Sequence, residues 1–216
     1  MKQAAQRILF SPRMRELASG LPDPVRAVAR DTLFSDVRAK RQWLRTIMNR
    51  DVAALLAEFE ERDVDVVEVS GRLRESPLWR SYTRVEWPEF DLCSPGDLPG
   101  QFDLVICEQV LEHVRNPWTA VRTLRALCRP GGHVLVSTPF LVRLHGSPED
   151  YWRFTPDGLR ILLEDGGLTP LWIRSWGNRR CIRANLDKWV AHHPWNSLRN
   201  EPELPLVVWA LAQPTP

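Results

Sequence analysis

The chain has 216 residues, with 29 Lys and Arg against 27 Asp and Glu for a formal net charge of +2, and 44% of it is hydrophobic. That balance excludes a disordered chain and a histone-like polyanion binder, and it fits one globular core, because a chain of about 200 residues buries roughly 70% of its unfolded surface. The longest apolar run, Leu206 to Ala212, falls far short of the roughly 20 residues that span a bilayer, so no membrane helix is expected.

Residues 1 to about 62 carry helical signals and no good strand. Pro22 and Pro24 break an Arg-rich stretch into short pieces. Val52, Leu55, Leu56 and Phe59 then fall at i, i+3, i+4 and i+7 behind Asp51, the expected N-cap of an amphipathic helix. From Val64 onward, short apolar runs alternate with helical segments: Val64–Val69, Tyr82–Glu86, a short Phe90–Cys93, Phe102–Cys107, His133–Thr138, Leu168–Ser175 and Leu206–Ala212. A helix is expected from near Pro117, with Trp118, Val121, Leu124 and Leu127 on one side, ending at Arg129-Pro130-Gly131-Gly132. Another opens at Thr155-Pro156-Asp157, a cap followed by proline in the first turn, and stops at Gly166-Gly167. Seven strands with interleaved helices predict an α/β fold around a mostly parallel sheet.

In an open α/β sheet, ligands bind beyond the carboxyl ends of the strands, at the switch in strand order. The residues there are Glu68-Val69-Ser70-Gly71, Glu86-Trp87-Pro88, Asp91-Leu92-Cys93 and Cys107-Glu108-Gln109-Val110-Leu111-Glu112-His113. Glu86, an acid at the end of the second run, suits the two hydroxyls of a ribose, because an ionised carboxylate offers two acceptor oxygens.

Over roughly residues 64 to 175 the chain resembles a class I S-adenosylmethionine-dependent methyltransferase. The stretch from Gln101 to Val114, continued by Leu127-Cys128-Arg129-Pro130-Gly131-Gly132-His133 to Pro139, carries most of the likeness. Pro88-Glu89-Phe90-Asp91 and an H-x-x-P-x-D segment from His145 to Asp150 point to one subgroup of that family. The resemblance implies a Rossmann-like seven-stranded sheet over residues 63–216, with residues 1–62 as an N-terminal helical cap over the acceptor pocket. It implies S-adenosyl-L-methionine as cofactor. Glu68 and the Ser70-Gly71 turn would approach its methionine portion, Glu86 would hold the ribose, and Trp87 would lie by the adenine. Asp91 and Leu92 would line the adenine pocket, and Glu108 and Gln109 would close over the cofactor. His113 is counted with them, against the plainer alternative of a packed histidine, as Asp91 is against a turn cap. The departure lies in the turn after the first run, where three alternating glycines are usual and Ser70, Arg72 and Arg74 stand instead.

On the acceptor side, His145, Asp150, Tyr151 and Arg153 are the catalytic candidates, with His145 as the general base; the alternative is a structural lid in which Asp150 pairs with Arg153. The expected reaction is methyl transfer to an O or N nucleophile of a small molecule such as a natural product, sugar or carboxylate. Two rivals stand beside it: a protein of this fold that no longer transfers methyl groups, and a nucleic-acid methyltransferase, disfavoured because no Asn/Asp-Pro-Pro-aromatic motif follows Cys107. No membrane partner is expected, and a homo-oligomer stays open.

The first residues show no apolar leader, and Cys93, Cys107, Cys128 and Cys181 form no C-x-x-C pair, so reduced thiols and a cytoplasmic setting are expected. His113, His133, His145, His192 and His193 lack the i, i+4 spacing that sets two imidazoles on one helix face, so no metal is expected. The small net charge hides a division: residues 1–50 hold 11 cationic and 4 acidic residues, or +7, leaving 18 against 23, or −5, for the rest.

Overall fold

The computed structural model describes residues 42–71, 74–146 and 149–216. Most of the expected helical cap therefore lies outside the described residues, as do Arg72, Leu73, Ser147 and Pro148. Among the described residues, six strands form one sheet: β1 (Asp65–Val69), β2 (Ser81–Val85), β3 (Phe102–Glu108), β4 (Cys128–Pro139), β5 (Leu168–Trp176) and β6 (Val207–Pro214). Their order is β2-β1-β3-β4-β6-β5, with β2, β1, β3 and β4 parallel and β6 antiparallel to both neighbours. Around it lie α1 (Thr46–Glu60), preceded by a 3-10 turn at Trp43–Arg45, α2 (Pro117–Leu127), α3 (Pro156–Asp165) and the short α4 (Arg179–Ala184).

Alternation along the strands builds two core layers, since successive side chains of a strand point to opposite faces. Val67, Val69, Val105, Cys107, Val134 and Val136 pack on one face with Leu124 and Leu127 of α2 and Leu159 and Leu162 of α3. Val66, Leu104, Ile106 and Leu135 pack on the other with Met48, Val52, Leu56 and Phe59 of α1. Four of the ten tryptophans, Trp43, Trp79, Trp176 and Trp209, are buried in this second layer. Residues 41–216 make one compact unit. The helix expected to belong to the cap is thus part of the sheet's own core.

Three expectations change. The seventh strand, Phe90–Cys93, is a turn with a single Asp91–Ser94 bridge. Its backbone groups are claimed locally: Asp91 Oδ1 accepts from the Cys93 amide at 2.8 Å, and Thr123 donates its hydroxyl to the Leu92 carbonyl at 2.8 Å, which leaves no free ladder for a sheet. Asp51 is not a cap, because α1 begins at Thr46; its carboxylate instead accepts from Arg174 at 3.0 Å. On α2 the buried stripe is Ala120, Val121, Leu124 and Leu127, and Trp118 is 38% exposed at its edge. The caps at α3 hold as expected: Thr155 accepts from the Gly158 amide, Pro156 opens the first turn, and Gly167 takes a φ of +81° beyond the end. Among the described residues, no helix is long and apolar enough to cross a membrane.

Candidate active site

The chain leaves β1 toward β2 on one side and returns to β3 on the other, so the switch in strand order lies between β1 and β3. Both strands end in strained backbone there. Ser70 has φ +53° and Gln109 φ +57°, left-handed values that non-glycine residues seldom adopt and that tend to persist where a site requires them.

Glu68, the penultimate residue of β1, is buried at 2% exposure beside the turn that follows the strand. Its Oε2 accepts from the Tyr82 hydroxyl at 2.5 Å and from the Arg74 amide at 3.1 Å. Burial and the Glu68 carboxylate push the Tyr82 phenol well above its ordinary value, so it stays a donor. Gly71 has no room for a side chain, since a Cβ would come within 2.2 Å of Glu68 Oε1. Arg74 crosses the gap and donates to both oxygens of Glu108 at 2.5 and 3.0 Å, and to Asn49 of α1 at 3.3 Å. Both members of that ion pair are nearly buried, with side-chain exposures of 9% and 5%. Gln109 ties β3 to β4, its amide donating to the Ser137 carbonyl at 2.8 Å, and its Oε1 accepts from Arg45 at 3.1 Å. Burial holds the Arg45 guanidinium below its ordinary value against the pull of Glu108 and Glu112.

Beyond β3 and β4 a second cluster forms. The loop after β3 places Glu112 and His113, and the loop after β4 brings His145 back beside them, with the two rings 5.1 Å apart. Asp150 Oδ2 accepts from the His145 backbone amide at 2.8 Å and lies 3.2 Å from the His145 Nδ1. Arg153 grips Asp150 with two nitrogens, and this bonding lowers the Asp150 carboxyl to about 2. Trp189 meets His145 edge to face at a centroid distance of 5.6 Å, and the Arg143 guanidinium lies over the Trp189 ring at 4.7 Å.

A model of the methyltransferase domain matches residues 55–180, more than half of the chain. The chain belongs to this methyltransferase family. The 1,6-didemethyltoxoflavin-N1-methyltransferase of Burkholderia thailandensis, solved with 1,6-didemethyltoxoflavin and S-adenosylhomocysteine, superposes with a TM-score of 0.56 at 16% identity, over 95% of this chain and 91% of that one. An S-adenosylmethionine-dependent methyltransferase from Clostridium acetobutylicum gives 0.51 at 10% identity, over 90% and 99%. These likenesses show the fold, which is that of S-adenosylmethionine-dependent methyltransferases. In sequence, the ubiquinone biosynthesis O-methyltransferase of Alkalilimnicola ehrlichii is 38% identical over 91 residues, 42% of this chain and 32% of that one. The protein of the same name from Pseudomonas aeruginosa is 48% identical over 42 residues, 19% and 18%. The matched segments thus span a third or less of these relatives.

Within this methyltransferase, the expected site residues fall into three groups. Glu68, Ser70, Gly71, Glu108 and Gln109 meet at the switch point. Glu86 and Trp87 lie one strand outward, Glu86 beside Arg84 at 2.8 Å and Trp87 with 61% of its surface exposed. Asp91 caps its own turn, and Leu92 is buried in the first core layer. His113, His145, Asp150 and Arg153 come together in the second cluster, whereas Tyr151 is 49% exposed and its backbone amide donates to the Glu112 carbonyl at 2.7 Å. Arg45, Asn49, Arg74 as an ion-pair partner, Glu112 and Trp189 were not singled out from the sequence. The Glu112-His113 doublet in the loop after β3 is the one sequence signal for any of them.

Proposed function

We propose that the protein transfers a methyl group from S-adenosylmethionine to an oxygen or nitrogen of a small molecule bound beside His145. The observation that carries this reading is the pair of left-handed residues, Ser70 and Gln109, flanking buried acids at the switch point. Glu86 would hold the ribose and Trp87 would cover the adenine. Where the glycine turn is absent, Arg74 and Glu108 present one charge of each sign, the complement of an α-amino acid zwitterion. The methionine carboxylate would take Arg74, and its ammonium would take Glu108 or Glu68. Bound there, the sulfonium supplies an activated methyl group, and this chain's residues supply position and a dry cleft.

His145 is the acceptor-side base in this reading, with Asp150 and Arg153 as positioning residues that fix its ring. The relatives named above include an O- and an N-methyltransferase, in line with either acceptor atom. The +7 charge of residues 1–50 favours an anionic acceptor, and the proposed cap is the part of residues 1–62 that precedes α1, whose own apolar face belongs to the transferase core.

Calorimetry with S-adenosylhomocysteine tests the assignment. One site per chain is expected, weakened about 10- to 100-fold in Glu86→Ala, the loss that follows from one or two hydrogen bonds to a charged group. A wild type that shows no binding, or that behaves like the variant, overturns the transferase reading in favour of a protein of this fold without methyl transfer.

A further inference from the structure

Glu112 has no exposed surface, yet neither of its carboxylate oxygens has a hydrogen-bond partner among the described residues. A carboxylate buried in that way is strongly disfavoured unless something pairs with it. Its Oε1 faces Nε2 of His113 and Nε2 of His145, each 3.6 Å away and too far for a hydrogen bond.

The opposite nitrogen of each ring is already committed. His113 Nδ1 lies 2.5 Å from the Glu149 carbonyl oxygen, which can only accept. His145 Nδ1 lies 3.2 Å from Asp150 Oδ2 and 3.3 Å from the Arg143 carbonyl oxygen, both acceptors, with the Arg153 guanidinium farther off at 3.4 Å. Each ring thus has its Nδ1 side engaged by neighbouring groups and directs its Nε2 toward Glu112. Three possible metal-ligand atoms, Glu112 Oε1 and the two Nε2, therefore converge on one point without a hydrogen bond among them.

We propose that Glu112, His113 and His145 form a binding site for a divalent transition-metal ion, for which Zn2+ is the best match. Donors about 2.1 Å from a tetrahedral ion lie about 3.4 Å from one another, and Glu112 Oε1 is 3.6 Å from each Nε2. One donor atom from each residue lies within 4.8 Å of the others. Two imidazoles and one carboxylate suit Zn2+ or its transition-metal neighbours, whereas Mg2+ and Ca2+ favour all-oxygen shells. Glu149 and Asp150 provide the outer bonds that fix a ligating histidine's tautomer and raise its basicity. Three protein ligands leave a coordination position open, the arrangement of catalytic rather than structural zinc sites. An acceptor hydroxyl in that position would be acidified by the ion, which would take over from His145 the task of activating it. That role rests on the transferase reading; the binding of the ion does not.

The full chain, stripped of metal by chelation, is titrated with Co2+ alone and followed by its visible d–d absorption. One equivalent is expected to bind and to be displaced by Zn2+. Glu112→Gln and His145→Asn should each abolish the band while retaining the cooperative thermal unfolding of the wild type, and Asp150→Asn should weaken affinity about 10- to 100-fold. No stoichiometric band in the wild type, or a band unchanged in both ligand variants, overturns the proposal. Calorimetry separates this outcome from the transferase reading: Glu112→Gln keeps its S-adenosylhomocysteine binding, and Glu86→Ala keeps its Co2+ binding.

Discussion

The two edges of the sheet are both rich in charge, and they differ in how those charges are satisfied. At the amino edge, Asp65 and Asp103 face Arg80 and Arg129 in a closed network. Asp103 accepts from the Asp65 amide at 2.8 Å and from Arg129 at 2.9 Å, while Asp65 accepts from Ser81 at 2.7 Å, Arg80 at 2.9 Å and Arg129 at 3.1 Å. At the carboxyl edge the bonding is incomplete: both Glu112 oxygens and the Nε of Arg45 are buried without hydrogen-bond partners among the described residues. Similar residue types thus serve opposite ends. Charges that complete one another hold the strands in register, and charges left over mark where a ligand is proposed to supply what is missing.

The largest effect that would break this comparison is expected at Arg74, whose pairing with Glu108 looks closed but is proposed to open for the cofactor's zwitterion. Arg74→Gly restores the glycine usual at that position and removes the cation. If Arg74 reads the carboxylate, S-adenosylhomocysteine affinity falls about 10- to 100-fold, the loss of a charge-assisted bond. Tighter binding in the variant would show that the arginine only obstructs the turn, and would place this pair with the amino-edge network as structure.

At the amino edge the expected effect is on stability alone. Asp65→Asn should cost about 1 kcal/mol at neutral pH, since its bonds are charge-assisted but reach partners open to solvent. Hydrogen bonds from Arg80, then from Ser81 and Arg129, hold the Asp65 carboxyl well below the ordinary carboxylate range. A depressed folded-state value means that this contribution is present above the unfolded carboxylate value near 4 and is lost as pH falls below it. The wild type should therefore lose stability faster than Asp65→Asn on acidification through that window, as read by denaturant midpoints. S-adenosylhomocysteine affinity should be the same in both, and a change would mean that the two edges are not independent.

How much of this was legible beforehand follows the same division. The strands β1 and β3 and the caps of α3 are written in local pattern: apolar runs, a Thr-Pro start and a Gly-Gly stop. That Glu68, Glu108 and Gln109 stand at the switch point is legible because they end the apolar runs that become β1 and β3. What was not legible depends on non-local geometry or on competition for backbone groups. The third apolar run reads as a strand until Thr123, on a distant helix, takes the Leu92 carbonyl. Asp51 reads as a cap until the 3-10 turn at Trp43–Arg45 starts the helix earlier. His113 and His145 stand far apart in sequence and meet only because β3 and β4 are neighbours that end side by side. Spacing along one helix addresses only ligands on that helix, and these two sit in separate loops.

The finest test sets the cost of leftover charge against its use. Without metal, Glu112 is a buried carboxyl group with no hydrogen-bond partner among the described residues, and its neutral isostere lowers that cost while keeping the shape. Glu112→Gln should then be the more stable protein in chelator by about 1 kcal/mol, a rise in Tm of about 2–4 °C for a chain of this size. Saturating Zn2+ should reverse the order, because an ion that binds only the folded wild type stabilises it by mass action and leaves the variant where it was. A variant less stable than wild type in chelator would mean that Glu112 is satisfied without a ligand, and the carboxyl edge would then be closed in the same way as the amino edge.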